Sequence, residues 1–307
     1  MPSYLGSGPY CYANSLAMVL GEHAPPPSVV EVLTGSPFGF ELLGGRLPLF
    51  DPYGWDPDQG LDEAIRLLGW TCRRDGADDE QTALARLRDA GGPVLVGPVE
   101  FGLLRHVPGM TGPIRSDHFV VVLEVDGDVV RFHDPHGFPY ATLPVPDFLA
   151  AWRADTIGYR DRPYTMRSGF DRVVAVRADA ALRAALPGAA AWLRGRDLPV
   201  PPGTVGGADG LYRLASQIDA GLEPSVRDHL IHFAVRVGAR RLADAATGLA
   251  GIGLGPAAAI ATGQARLVGS LQFDLVSGND KAAAATLRRL APTYSALADE
   301  LPGSPTT

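Results

Sequence analysis

Residues 117–134 constrain the fold more than any other stretch. The run Asp-His-Phe-Val-Val-Val-Leu-Glu-Val-Asp-Gly-Asp-Val-Val-Arg-Phe-His-Asp sets apolar, β-branched segments on either side of the turn signal Asp126-Gly127-Asp128. That is the pattern of a buried antiparallel hairpin. A hairpin also fixes faces, because side chains alternate along each strand. A strict two-residue turn sets His118 across from an odd-numbered residue and sends Asp134 to the other face. A three-residue turn containing Gly127, or a bulge at the strand end, brings His118 onto the face of Asp134 or His136. Directly opposed residues there have Cβ atoms about 5 Å apart. One residue of register therefore decides whether an imidazole and a carboxylate meet.

The second informative stretch is Gly-Pro-Tyr-Cys-Tyr-Ala-Asn-Ser-Leu-Ala-Met-Val-Leu-Gly, residues 8–21. It reads as a Gly/Pro turn followed by a helix starting at Cys11, with Ala13, Leu16, Ala17 and Leu20 on one face and Gly21 as its stop. A thiol in the first helical turn sits among backbone N–H groups without intrahelical partners, at the positive end of the helix dipole. Such a place lowers a thiol pKa and makes the thiolate nucleophilic. A small buried residue near a helix start is the plain alternative, and position alone does not separate the two.

The chain has 307 residues, 46% apolar and 20% charged, which is core material for two domains of ordinary size. A net charge of −7 argues against a nucleic-acid footprint. With Cys11 and Cys72 the only cysteines, the sequence predicts a reduced, cytoplasmic protein and not a disulfide scaffold. The opening residues carry no secretory pattern. The apolar stretch 249–265 is interrupted by Gly, Pro and Gln, and reads as packed helix, not a membrane span.

In order, residues 22–60 are rich in Pro and Gly, with Phe38, Phe40, Phe50, Tyr53 and Trp55. They read as an irregular connection whose aromatics cover the core or wall a substrate site. Helices are predicted at 61–68 and 78–90, strands at 70–73 and 93–99, helical structure at 149–152 and a last strand at 173–176. From residue 178 Ala and Leu dominate. Helices are expected at 178–194, 208–220, 224–249, 256–276 and 279–300, with a Pro/Gly linker at 197–207. The fold class is thus α+β: a domain over 1–177 followed by an α-helical bundle over 178–307. His229 and His232 lie three apart without an accompanying carboxylate pattern and read as structural or interface residues. His133, Asp134 and His136 lack metal-ligand spacing, so no metal is expected, nor any cofactor.

A Cys at a helix start, a His opening a later strand and an acid after the next strand follow the papain-like order. In that order Cys11 attacks an acyl carbonyl, His118 takes and returns the proton, Asp134 orients the imidazole and the Cys11 N–H helps hold the oxyanion. Three unrelated residues in that order are the alternative reading. The motifs themselves, Pro-Tyr-Cys-Tyr-Ala-Asn-Ser-Leu-Ala-Met-Val-Leu, Gly-Pro-Val-Leu-Val-Gly-Pro-Val-Glu-Phe-Gly at 92–102 and Asp-His-Phe-Val-Val-Val-Leu with Phe-His-Asp-Pro-His-Gly within 117–137, resemble the N-terminal domain family of butirosin biosynthesis protein H. The likeness runs over about the first 175 residues in motif order, and the helical remainder is similar in character to the domain that often accompanies it. The resemblance implies a papain-like cysteine-protease fold, related to double-glycine-leader bacteriocin peptidases. It implies an acyltransferase of antibiotic-type metabolism that moves an acyl group from an acyl carrier protein thioester to an aminoglycoside amine. Cys11 would be nucleophile, His118 base and Asp134 orienting acid. Glu100 falls where the family often has an acid, and would face the acceptor.

Papain-like peptidases usually carry a Gln shortly before the Cys, and none precedes Cys11 here. Tyr4, Ser7, Asn14 or the backbone would then supply the oxyanion donor, with Tyr12 and His136 completing the substrate-binding set. The missing Gln favours an activated thioester substrate over a peptide. The expected partners are an acyl carrier protein or small thioester donor and a small-molecule amine acceptor, with no nucleic acid and no membrane. The helical domain would bind the carrier or form a homodimer, and the arginines at 153–172 with Arg236, Arg240 and Arg241 would form a carrier-facing surface. A hydrolase or cyclase, and a non-catalytic binding protein of the same fold, are the competing expectations.

Overall fold

The computed structural model describes residues 9–302. They form two compact units, one built from the described residues up to Val30 with Leu68–Ala175, the other from Glu31–Leu67 and the described residues from Val176 onward. The first unit is therefore discontinuous in sequence, where composition predicts a continuous domain over 1–177. Residues 31–67 belong with the helical unit.

The first unit is a six-stranded antiparallel sheet in the order Trp70–Asp75, Met166–Arg172, Val94–Glu100, Asp117–Asp126, Val129–Asp134, Phe138–Pro144. Every residue of Val94–Glu100 is buried, the apolar run to Val99 together with the acid that ends it. Val96, Val120, Val122 and Phe132 join Phe148 and Trp152 of the helix Val145–Trp152 in one apolar cluster. Burying each such side chain contributes about 1.5–3 kcal/mol. The last strand lies at 166–172, not at the expected 173–176, and Val173 and Val174 are exposed. Its polar sequence concealed it, because Arg167 and Ser168 are buried there.

The helix Cys11–Leu20 ends at Gly21 with φ 62°, a left-handed value suited to glycine. It packs on the strand Asp117–Asp126. The Tyr12 and Phe119 rings meet edge-on at 6.1 Å, and Ser15 Oγ donates to the Phe119 carbonyl at 3.2 Å.

The hairpin solves its register with a bulge. The turn is the two-residue type, with Asp126 opposite Val129, Val125 opposite Val130 and Glu124 opposite Arg131. Beyond the irregularity the pairs are Val122 with Phe132 and Val121 with His133, so Leu123 is an extra residue. Continued one step, this register sets Asp134 across from Val120, a diagonal neighbour of His118 on the same face.

The second unit contains the helices Ala178–Arg194, Gly207–Ala220, Val235–Gly251, Gly255–Ser277 and Asp280–Glu300, with the short strands Leu47–Leu49, Glu41–Leu43 and Val205–Gly206 paired antiparallel. Phe40, Leu42 and Phe50 are buried in its core with Leu211, Leu214, Leu242 and Leu287. The stretch expected as one helix over 224–249 passes through a π-helical turn at Leu230–Ala234. Among the described residues no helix is long and apolar enough to cross a membrane.

Candidate functional site

Cys11 is the first residue of its helix and half-buried. The residue before it, Tyr10, is buried with φ 78°, a left-handed conformation that costs a side-chain-bearing residue roughly 1–2 kcal/mol. Strain of this kind is tolerated where the surrounding structure imposes it, and functional sites are common places for it. The helical ladder starts with the Asn14 N–H donating to the Tyr10 carbonyl at 2.9 Å. The amides at the helix start precede that ladder and lie beside the thiol.

His118 joins the thiol to the hairpin. Its Nε2 donates to Asp134 Oδ1 at 2.6 Å, and its ring also hydrogen-bonds the Cys11 sulfur. A carboxylate only accepts, so Nε2 carries the proton and Nδ1 is left for the sulfur. Asp134 Oδ1 also accepts from the His136 backbone N–H at 2.7 Å, and Oδ2 accepts from His106 Nε2 at 2.8 Å. Asp134 is fully buried and His118 nearly so. Burial by itself pushes the His118 pKa down. The charges of Asp134 and Cys11, with the hydrogen bonds to both, outweigh burial and push it up to about 10. For Asp134 burial favours the neutral acid, but the His118 charge and the bonds from His106, His118 and the His136 N–H hold its pKa far below the usual carboxylate range. Thiol, imidazole and carboxylate thus form a chain suited to proton transfer to and from the sulfur.

An aromatic rim surrounds the imidazole. The Phe101 ring lies 4.8 Å from His118 and 5.1 Å from His136, and the exposed His136 ring lies 6.2 Å from His118. His136 is therefore at the open edge of this group.

Other sequence-derived candidates fall elsewhere. Tyr4 and Ser7 lie outside the described residues. The Tyr12 ring is buried against Phe119. The Asn14 amide donates to the carbonyls of Pro9 at 3.2 Å and Tyr10 at 2.9 Å, so it braces the turn before the helix, with both amide hydrogens engaged. Glu100 does not stand open to an acceptor. It is buried, and its carboxylate accepts from the N–H groups of Gly102, Ile114 and Arg115 and from the Thr156 hydroxyl. It braces the loop that leads into His118. His133 is buried and accepts from the Tyr140 N–H at 3.1 Å, while His229 donates to the Pro48 carbonyl at 3.0 Å.

The proposed basic surface is largely neutralised. Arg153 and Arg160 pair with Asp155, Arg162 with Asp78 and Arg240 with Asp244, while Arg167 and Arg241 are buried. The residue that sequence reasoning missed is His106. It sits in a loop without periodicity, and its partner lies 28 positions away.

Comparison with known proteins finds a family model and a curated relative. Residues 201–302 match the family model described as YobF C-terminal domain. The chain is also 35% identical over 163 residues to a Bacillus subtilis (strain 168) protein described as "Uncharacterized protein YobF", an alignment covering 51% of this chain. The chain spans about half the length of this curated relative, 52%.

Proposed function

We propose that the first unit is a papain-like cysteine acyltransferase, of the kind represented by butirosin biosynthesis protein H, acting on a thioester donor and an amine acceptor. One observation carries the reading: His118 bridges the Cys11 sulfur and the buried Asp134 carboxylate. In the first half-reaction the Cys11 thiolate attacks the donor carbonyl, the bond from acyl carbon to donor sulfur breaks, and the departing thiolate takes the proton held by His118. In the second half-reaction the amine attacks the acyl-Cys11 carbon, His118 accepts the amine proton, and Cys11 leaves as thiolate. Amide and free thiol are the products. The amides at the start of the cysteine helix would hold the oxyanion of each tetrahedral intermediate.

The competing outcomes, hydrolysis and cyclisation, share the first half-reaction and differ in the nucleophile of the second. The test uses acyl thioesters of N-acetylcysteamine with chains of graded length. Intact-protein mass spectrometry should show an acyl adduct on the wild-type chain and none on Cys11→Ala. Adding primary amines should discharge the adduct as amide faster than water does. A wild-type mass unchanged by the whole thioester series sinks the proposal.

A further inference from the structure

Asp134 is approached by two imidazoles, and the proposed chemistry uses only one. His106 Nε2 donates to Oδ2 at 2.8 Å, on the opposite oxygen from the one that receives His118. Its ring meets Phe132 and Phe138 edge-on, at 5.0 Å and 5.3 Å. Leu104 and Val107 are buried on either side of it, and turn hydrogen bonds from Leu104 to Phe101 and from Val107 to Leu104 fix the loop. The other nitrogen, Nδ1, is buried and has no hydrogen-bond partner among the described residues. Burying a bare polar atom costs about 1–3 kcal/mol. An isolated cost of this size asks for a reason, and among the described residues the ring's polar contact is its N–H donation to Asp134.

We propose that His106 is a positioning residue, whose grip on Asp134 Oδ2 holds the carboxylate in the plane that aims His118 at Cys11. Without the His106 donation, Oδ2 loses a fixed donor and the carboxylate turns more readily about its Cβ–Cγ bond. His118 then loses the fixed acceptor that sets its tautomer and tilt. The proposal rests on the reading of Cys11 as a nucleophile activated by His118. The chain would accordingly have four members, with the fourth acting through the third.

The test is the rate of Cys11 alkylation by iodoacetamide across pH, followed by peptide mass spectrometry so that Cys72 is resolved separately. Wild type is compared with His106→Leu, His106→Gln and His118→Ala, each checked for folding by near-UV circular dichroism. His106→Leu fills the space between the rings without a donor. It should lower the neutral-pH rate about tenfold and move the profile to higher pH, because a loosely held imidazolium stabilises the thiolate less. His106→Gln offers an amide donor and should recover the rate to within about threefold of wild type. A folded His106→Leu whose profile superimposes on wild type overturns the proposal. If His118→Ala also superimposes, the Cys11–His118 reading fails with it; if His118→Ala shifts while His106→Leu does not, the role of His106 alone is lost. Should His106→Leu not fold, nitrogen NMR of the wild-type histidines decides, with the His106 proton expected on Nε2 and its presence only on Nδ1 overturning the assignment.

Discussion

Asp134 accepts from two imidazoles and a backbone amide, so its charge is fixed in direction as well as in amount. Removing that charge leaves His118 buried beside the sulfur with burial opposing its protonation. Asp134→Asn should therefore lower the His118 pKa, weaken the thiolate–imidazolium pair and reduce the proposed acyl transfer by about 10²–10⁴-fold with the fold intact. A histidine NMR titration paired with single-turnover acylation checks both halves, and an unchanged His118 titration would remove the carboxylate from the argument. At this scale Cys11, His118 and Asp134 were legible because each stands at a punctuated place, a helix start or a strand end. His106 was not, since nothing local marks a loop residue whose partner lies in another strand. Asn14 and Glu100 carried the right chemistry for a site, but neighbouring backbone groups take up the Asn14 amide hydrogens and the Glu100 carboxylate.

The elements deliver these residues through register more than through proximity in sequence. A two-residue turn at Gly127 with no bulge places Asp134 on the wrong face, and the extra Leu123 restores the match. Because the bulged residue has no partner of its own, deleting it should leave Val122 with Phe132 and Val121 with His133 still paired. The Leu123 deletion should thus fold as a regular hairpin and keep Cys11 alkylation within about tenfold of wild type, a change in rate worth about 1.4 kcal/mol. An inert thiol in a folded deletion variant would show that the bulge does more than set the register. The sequence named both ways of matching the faces, the longer turn and the bulge, but did not choose between them. The choice depends on which side chains the sheet buries, and Val120, Val122 and Phe132 enter one apolar cluster only in the bulged register. The strand Met166–Arg172 was hidden for a related reason, since a buried arginine breaks the apolar pattern by which strands are read.

Across the whole molecule the change of composition at residue 178 located the helical unit, while the membership of residues 31–67 in it was not legible. That segment joins through Phe40, Leu42 and Phe50 and through a buried charge cluster, in which Arg241 pairs with Glu31 and Asp51. Neither pattern has a local period. Glu41, buried in the strand Glu41–Leu43, lies near the same cluster, with the buried Tyr294 also within the field of Asp51. Burial and the Asp51 charge, partly offset by the Gly54 N–H, raise the Glu41 pKa from 4.5 to about 8. The folded chain therefore holds a proton on Glu41 that the unfolded chain releases near its ordinary pKa. Stability from this group is fully present below about pH 4.5 and is lost as pH rises towards 8, at most by roughly 1.4 kcal/mol per pH unit. His118, raised to about 10, acts with the same sign but only above its ordinary value of 6.5, and Asp134, lowered, acts only on the acid side. The interval from about pH 5 to 6.5 thus isolates Glu41 from the proposed catalytic groups. Glu41→Gln removes the titration but keeps a side chain of similar shape, so over that interval its stability should change less with pH than that of wild type. Amide hydrogen exchange in the strand Glu41–Leu43 reports this unit by itself. Equal pH slopes in the two proteins would mean that Glu41 is already ionised in the fold and that Arg241 compensates all three carboxylates.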